Sequence, residues 1–342
     1  LREEGFRWEP VPMNRLSLNP FRELVLVWRL WRLFRSEEPS LVHGFTIKCA
    51  VYGALAARIA RIPARVSSVA GMGYVFTSDE MKARLLRPLV RVLLRMALDG
   101  PDARLILQNK DDVALFEAAA LVNPSRIRLI HGSGVDHTRF TLENNGSQPR
   151  RPLRVLLAAR LLWDKGLAEF VEASRLLQEE GRAIKFLLAG DPDPGNPAAV
   201  PEATVLQWQA DGLLEWLGHV DDMPGLLAGV DMMVLPSYRE GLPKSLIEAA
   251  ACGLPLIAAD VPGCREVITD GVDGLLIPVR DASALAAAIG HLDDDRELAE
   301  RLGLAARDKA IGNFDEQIVI PQTIAVYDEL LSKTKSTIQA HG

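Results

Sequence analysis

Residues 230–260 leave this chain few folds to choose from. Val230 to Leu235 is a buried-strand run, and Pro255 to Ala259 is a second one. Between them lies a loop with Glu240 and Gly241, then an apolar-periodic helix opening at Pro243 as its first residue and closing at Gly253. Proline at the start and glycine past the end is the expected asymmetry of helix termini. Strand, loop and helix in that order set the amides of Gly241, Leu242, Lys244 and Ser245 at a helix N-terminus, over the C-terminal edge of a sheet. Anions bind well there, a diphosphate above all. Two carboxylates, Glu240 and Glu248, bracket the position.

The same alternation runs through the whole chain. In the first half, 1–20 reads as loop with room for one edge strand. Helices are predicted over 21–35, 47–61, 80–98 and 110–121, and strands over 40–45, 64–70, 103–108 and 126–131. In the second half, strands are expected at 153–159, 184–190, 214–218, 231–235 and 255–259. Helices fill 165–180, 202–211, 222–228, 243–252, 281–293, 295–311 and 315–334. Repeated strand–helix units predict parallel sheets with crossover helices. The polar stretch Thr141 to Pro152 is the best linker. It divides the chain into a domain over 1–140, the linker 141–152, a domain over 153–314, and a C-terminal helix and tail over 315–342.

Charge separates the halves further. Residues 1–150 hold 22 Lys+Arg against 15 Asp+Glu, and 151–342 hold 17 against 30, so a half of +7 precedes one of −13. A basic half calls for an anionic partner. No aromatic-rich recognition module accompanies it, which excludes nucleic acid, and an anionic membrane surface or a lipid diphosphate fits better. Residues 82–98 carry Arg84, Arg87, Arg91 and Arg95 on one arc of a helix, with Pro88 as an interruption that could restart it. Either that face docks on an anionic leaflet, or it is the solvated edge of a core helix. No apolar run reaches the roughly 18 residues of a membrane span. Cys49, Cys252 and Cys264 are odd in number and widely spaced, and read as reduced thiols of a cytosolic protein.

Glu240 and Glu248 form an E-x7-E pattern, and EGLPKSLIEAAACGLPLIA resembles the donor-site signature of the family 4 retaining glycosyltransferases. SSVAGMGYVFTS (67–78), GSGVD (132–136) and AARLLWDKG (158–166) extend the resemblance over nearly the whole chain. It implies the GT-B fold, two Rossmann-like domains facing each other across a cleft, the first binding the acceptor and the second the nucleotide sugar. By resemblance Glu240 contacts the donor hexose, Glu248 holds the ribose hydroxyls, and Gly241, Leu242, Pro243, Lys244 and Ser245 cradle sugar and phosphate. Arg160 and Lys165 would neutralise the diphosphate, and Gly71 and Gly73 would bring a turn close to the donor. The implied donor is a UDP-sugar, a substrate rather than a cofactor, and the implied acceptor a polyprenyl-diphosphate-linked sugar. Transfer would occur by front-face substitution at the inner face of the membrane. The family's opening strand and glycine-rich turn have no counterpart before residue 20, which implies that about 40–60 residues precede Leu1.

Other candidates read more plainly. Many family members carry a histidine where Ala70 stands here, so His43 is an alternative, with a structural role equally open; so is His131. Glu266 is sufficiently explained as a helix-start carboxylate. Asp221-Asp222 suggests a helix cap and Asp293-Asp294-Asp295 a solvated turn, and no cluster has metal-ligand spacing, so metal-independent chemistry is expected. Two rivals remain: a nucleotide-sugar epimerase on the same fold, and a non-catalytic nucleotide-sugar-binding protein.

Overall fold

The computed structural model describes residues 5–13, 19–69, 81–141 and 152–341, with side chains described outside 81–89 and 333–341. The chain forms two compact units: residues 1–130 together with 321–342, and residues 131–320.

The first unit holds a parallel sheet whose strands lie in sequence order: β1 (Leu41–Phe45), β2 (Ala64–Val69), β3 (Ala103–Leu107) and β4 (Ile127–Leu129). Helices Pro20–Glu37, Ile47–Ala60, Met81–Leu98 and Lys110–Ala118 alternate with them. Local chemistry explains the helix starts. Asn19 accepts the Phe21 amide at 3.0 Å and Pro20 follows at the first helical position, while Asn109 caps the Asp112 amide at 2.7 Å. Helix Ile47–Ala60 buries Ala50, Ala54 and Ala57, small side chains that let a helix approach closely. Helix Met81–Leu98 continues through Pro88 rather than restarting there. No strand occurs among residues 5–13.

The second unit is a six-stranded parallel sheet ordered β10-β9-β8-β5-β6-β7. Its strands are β5 (Leu153–Ala158), β6 (Ile184–Ala189), β7 (Glu215–Gly218), β8 (Met232–Leu235), β9 (Leu256–Ala259) and β10 (Leu275–Ile277). The chain enters at the centre, builds outward through β6 and β7, and returns to the other side of β5 with β8. That reversal creates a topological switch point between β5 and β8, whose carboxyl ends diverge into the crevice where such sheets bind ligands. Strands β8 and β9 are buried along their whole length, as a sheet covered by helices on both faces requires. Strand β10 has no counterpart among the predicted elements. Its three residues are too few to show a period.

Two segments pack away from the half in which the sequence places them. Residues 131–140 sit in the second unit because Val135 and Phe140 are buried in its core. The Val135 amide donates to the Phe314 carbonyl at 2.9 Å, and Arg307 donates to the Phe140 carbonyl at 3.0 Å. The last helix, Glu316–His341, is longer than its period predicts, and from Pro321 onward it clusters with the first unit. Val326 and Leu330 are buried there. Glu329 accepts from Arg104 Nε at 3.0 Å and from Arg128 Nη2 at 2.9 Å, which holds its carboxyl well below its usual range, at about 2. The expected linker falls mostly on residues outside the description.

His43, on β1, lies between Tyr327 and Ser68, with ring nitrogens 2.6 Å from each hydroxyl, and stacks on Phe45. Burial lowers its pKa to about 4. A base whose folded pKa is depressed stays neutral in the native state while the unfolded chain takes up a proton. Stability contributed by neutral His43 is therefore complete above about pH 6.5 and is lost as pH falls towards 4. In urea unfolding between pH 7 and 4.5, His43→Gln should show a shallower loss of stability than the wild type. Equal slopes would contradict a buried neutral histidine.

Candidate active site

The site forms where β5 and β8 part. After β5 the chain passes Ala159 and Arg160, makes one turn of 3-10 helix at Trp163–Lys165, and enters helix Leu167–Glu179 through Gly166. After β8 it runs through Pro236 to Pro243 and enters helix Lys244–Ala251. Three contacts lock the loops together. The Tyr238 amide donates to the Asp164 carbonyl at 2.8 Å. Lys165 Nζ donates to Glu240 Oε1 at 2.6 Å. Gly166 lies so close to Pro236 that a Cβ would stand 2.2 Å from the proline carbonyl oxygen, and its φ of +75° also favours glycine.

Pro243 occupies the N-cap rather than the first helical position, so Lys244 opens the helix. A prolyl cap offers no side-chain acceptor. The first amides bonded back within the turn are those of Leu246 and Ile247, both to the Pro243 carbonyl, at 3.2 and 3.3 Å. The amides of Lys244 and Ser245 thus have no partner in their own helix, and with the helix dipole they favour an anion. At the far end, the Leu254 amide reaches the Ala249 carbonyl and the Gly253 amide that of Ala250, with Gly253 at φ +72°. This is a Schellman termination.

The carboxylates differ in environment. Glu240 is 11% exposed and paired with Lys165, itself 20% exposed. Glu248 is 13% exposed, with Lys244 Nζ 3.6 Å away. Burial raises the Glu248 pKa, and Lys244 and Arg139 pull against the rise. Arg160 sits apart from the pair, donating to Asp193 Oδ2 at 2.5 Å and half exposed. Its partner Asp193 is 20% exposed, so this pair is more open to solvent than Lys165–Glu240 and is screened more strongly. Lys165 cannot leave Glu240 lightly, because the carboxylate would be left largely buried without its cation.

The structure thus brings Lys165, Glu240, Gly241, Leu242, Pro243, Lys244, Ser245 and Glu248 together, with Arg160 at the margin. Gly71 and Gly73 lie outside the described residues. Gly263 and Arg139 carry no expectation from sequence. Gly263 backs the loop: its amide donates to the Glu240 carbonyl at 3.2 Å, and a Cβ would meet the Gly241 carbonyl carbon at 2.7 Å. One turn on, Glu266 pairs with His131 at 3.3 Å instead of serving only as a helix-start charge. Arg139, on the 131–140 segment, acts on Glu248 through its charge, and no local motif marks it. Asp222 caps its helix by accepting the Gly225 amide at 3.1 Å. The triple aspartate is not a plain solvated turn, because Asp293 is buried beside Arg182 and Arg296.

With this geometry, known proteins can be set beside the chain. Residues 152–295 match the family model described as glycosyl transferases group 1, and residues 1–133 match that of the glycosyl transferase 4-like domain. A similar protein is the N,N'-diacetylbacillosaminyl-diphospho-undecaprenol alpha-1,3-N-acetylgalactosaminyltransferase of Campylobacter jejuni. It is 29% identical over 97% of this chain and 88% of the relative. The UDP-Gal:alpha-D-GlcNAc-diphosphoundecaprenol alpha-1,3-galactosyltransferase of Escherichia coli is 26% identical over 89% of this chain and 79% of its own. Among solved structures, Anabaena HepE in complex with UDP superposes with a TM-score of 0.73 at 22% identity, covering 89% of this chain and 82% of that one. Sucrose-phosphate synthase from Thermosynechococcus elongatus gives 0.77 at 21%, covering 94% and 83%. At those identities the superpositions speak for the fold alone.

Gly166 tests the loop junction directly. Gly181 has nearly the same φ, +76°, but nothing within 4 Å of a would-be Cβ. Gly181→Ala should cost about 1–2 kcal/mol, the left-handed strain alone. Gly166→Ala should cost about 1–3 kcal/mol more, because it also overpacks against backbone. Chemical unfolding of both variants checks this, and equal losses would contradict the close approach.

Proposed function

The chain belongs to the group 1 glycosyl transferases, the family 4 retaining enzymes of the GT-B fold, and from that premise we propose that it builds an α-linkage onto a lipid-linked glycan in bacterial surface polysaccharide synthesis. The donor in this proposal is a UDP-sugar, with a UDP-N-acetylhexosamine first in line, and the acceptor a polyprenyl-diphosphate-linked sugar bound by the first unit. One observation carries the reading: a part-buried Lys165–Glu240 pair lies at the switch point, next to a helix start whose second carboxylate, Glu248, stands just over one turn in. The relatives from C. jejuni and E. coli, whose names specify undecaprenol-diphosphate acceptors, support the choice of acceptor.

In the proposed chemistry the bond between the sugar anomeric carbon and the diphosphate oxygen breaks as an acceptor hydroxyl attacks from the same face. The hydroxyl proton passes to the departing diphosphate, giving the glycoside and UDP. Charge grows on the leaving oxygen, so groups that stabilise it act mainly in the transition state. Lys165, Arg160 and the amides of Lys244 and Ser245 fill that role. Glu240 orients Lys165 and contacts the hexose, together with Gly241, Leu242 and Pro243. Glu248 accepts from the ribose hydroxyls. A buried carboxylate whose proton affinity is raised gains from such donors, because their hydrogen bonds replace lost hydration.

Membrane association belongs to the same proposal. Among the described residues, no helix is long and apolar enough to cross a membrane. The basic first unit exposes Val92 and Met96 beside Arg91 and Arg95 on helix Met81–Leu98. Helix Pro20–Glu37 exposes Phe21, Leu24 and Trp28 among its arginines. Each cation near an anionic leaflet contributes about 1 kcal/mol, enough for reversible surface binding. In this proposal the protein works at the cytoplasmic face.

Two measurements test these assignments. With UDP release followed over a panel of UDP-sugars and a polyprenyl-diphosphate acceptor, Glu240→Ala should cut turnover by about a hundredfold while UDP affinity stays near wild type. Glu248→Ala should instead weaken UDP by about 1.5–3 kcal/mol, and unchanged UDP affinity in calorimetry would remove the ribose assignment. Hydrolysis or epimerisation of a UDP-sugar without acceptor would favour the epimerase reading. In liposome co-sedimentation, binding should rise with anionic lipid and fall with salt. It should also drop when Arg84, Arg87, Arg91 and Arg95 become Gln. Protein that stays in the supernatant at every lipid composition would end the membrane claim.

A further inference from the structure

Tyr238 stands two residues before Glu240 and belongs to neither the E-x7-E pattern nor the set of anion-binding amides. Its position is nonetheless held from three directions. The backbone amide donates to the Asp164 carbonyl at 2.8 Å, next to Lys165. The phenol donates to Glu169 Oε1 at 2.8 Å, in the first turn of helix Leu167–Glu179. The ring face carries the Arg280 guanidinium, 4.6 Å from the centroid. Arg280 follows β10 and adopts a left-handed φ of +63°, a strained state for a non-glycine residue that persists only when its surroundings hold it.

The Glu169 carboxylate gives this set its direction. Its Oε2 is buried and has no hydrogen-bond partner among the described residues, so the Tyr238 hydroxyl on Oε1 supplies a hydrogen bond that this carboxylate depends on, beside the helix N-terminus. A tyrosine has only two side-chain torsions. Fixing its amide, ring face and hydroxyl together therefore fixes the backbone that carries it.

We propose that Tyr238 is a positioning residue of the transfer site: anchored on Asp164, Glu169 and Arg280, it holds the loop bearing Glu240 at a set height against the loop bearing Lys165. This rests on the transferase proposal above for its effect on turnover, but not for its effect on the loop. The hydroxyl lies on the far side of the ring from the backbone and touches no residue assigned to the donor, so its removal reports on placement alone. Glu248 is carried by the helix beyond Pro243, and its hold on the nucleotide does not depend on Tyr238.

The test uses the full chain with Tyr238→Phe, Glu169→Ala, Glu169→Gln and the Phe/Ala double variant. Tyr238→Phe and Glu169→Ala should each lower kcat by about tenfold, with the Kd for UDP within about twofold of wild type, the split expected when only transition-state placement is disturbed. Glu169→Gln retains an acceptor oxygen for the phenol and should keep at least about half of wild-type turnover. The double variant should fall no further than the worse single, since both remove one interaction. Independently of catalysis, amide hydrogen exchange across residues 236–243 should quicken in Tyr238→Phe. Unchanged kcat in Tyr238→Phe, parallel losses in kcat and UDP affinity, or additive losses in the double variant would each overturn the proposal. If the wild type transfers sugar from no donor, the transferase proposal fails by itself and exchange alone decides: faster exchange in 236–243 supports positioning by Tyr238, and unchanged exchange overturns it.

Discussion

The candidate site depends on how closely two loops approach where β5 and β8 diverge. Parallel strands whose connections leave in opposite directions open a crevice at their carboxyl ends, and an open crevice alone positions nothing. Here it is closed at its base by backbone: the Tyr238 amide on the Asp164 carbonyl, and Gly166 against Pro236 with no room for a side chain. Beside those contacts Lys165 Nζ lies 2.6 Å from Glu240 Oε1. Backbone contacts suit this task because they lose no side-chain entropy on forming, whereas a long ion pair must.

The electrostatics follow from that closure. Largely shielded from water, a lysine and a carboxylate interact more strongly than on the surface. The pair is locally neutral, and in the proposed function the attraction for an anion comes from the amides at the start of helix Lys244–Ala251 and from Arg160 at the margin. Glu248 stands otherwise. Burial raises its pKa, while Lys244 and Arg139 act in the opposite sense. Two glutamates eight positions apart in one motif thus meet different environments. Cys264, buried with Glu240 nearby, is pushed far above the usual thiol range and stays an inert packing group.

The two units are closed by segments distant in sequence. Segment 131–140 completes the core of the second unit, where Val135 bridges to Asp315 and Phe140 is buried. The last helix completes the first unit through Tyr327 on His43 and Glu329 between Arg104 and Arg128. Buried Arg104, on a central strand, would be an isolated charge without Glu329, and a buried charge without a partner is far more costly than a paired one.

The sequence by itself determined the alternation of strands and helices, the parallel sheets and the strand–loop–helix frame of the site, because burial on both faces and helix-end chemistry are written in local runs of residues. It also singled out Lys165, Glu240, Glu248 and the loop between the two glutamates, since the motif that carries most of them is contiguous. It left β10 unseen, for three residues show no period, and it carried no sign that the charge of Arg139 would act on Glu248 or that His131 would meet Glu266. Both involve positions more than a hundred residues apart, and nothing local distinguishes an arginine or histidine that will lie near a carboxylate from one that will not. The partners of Tyr238, the proximity of Gly166 to Pro236 and the return of the last helix to the first unit were likewise decided only by tertiary structure. Each depends on which strand lies beside which, and the neighbours of β5 are set by chain reversal in space rather than by any spacing along the chain.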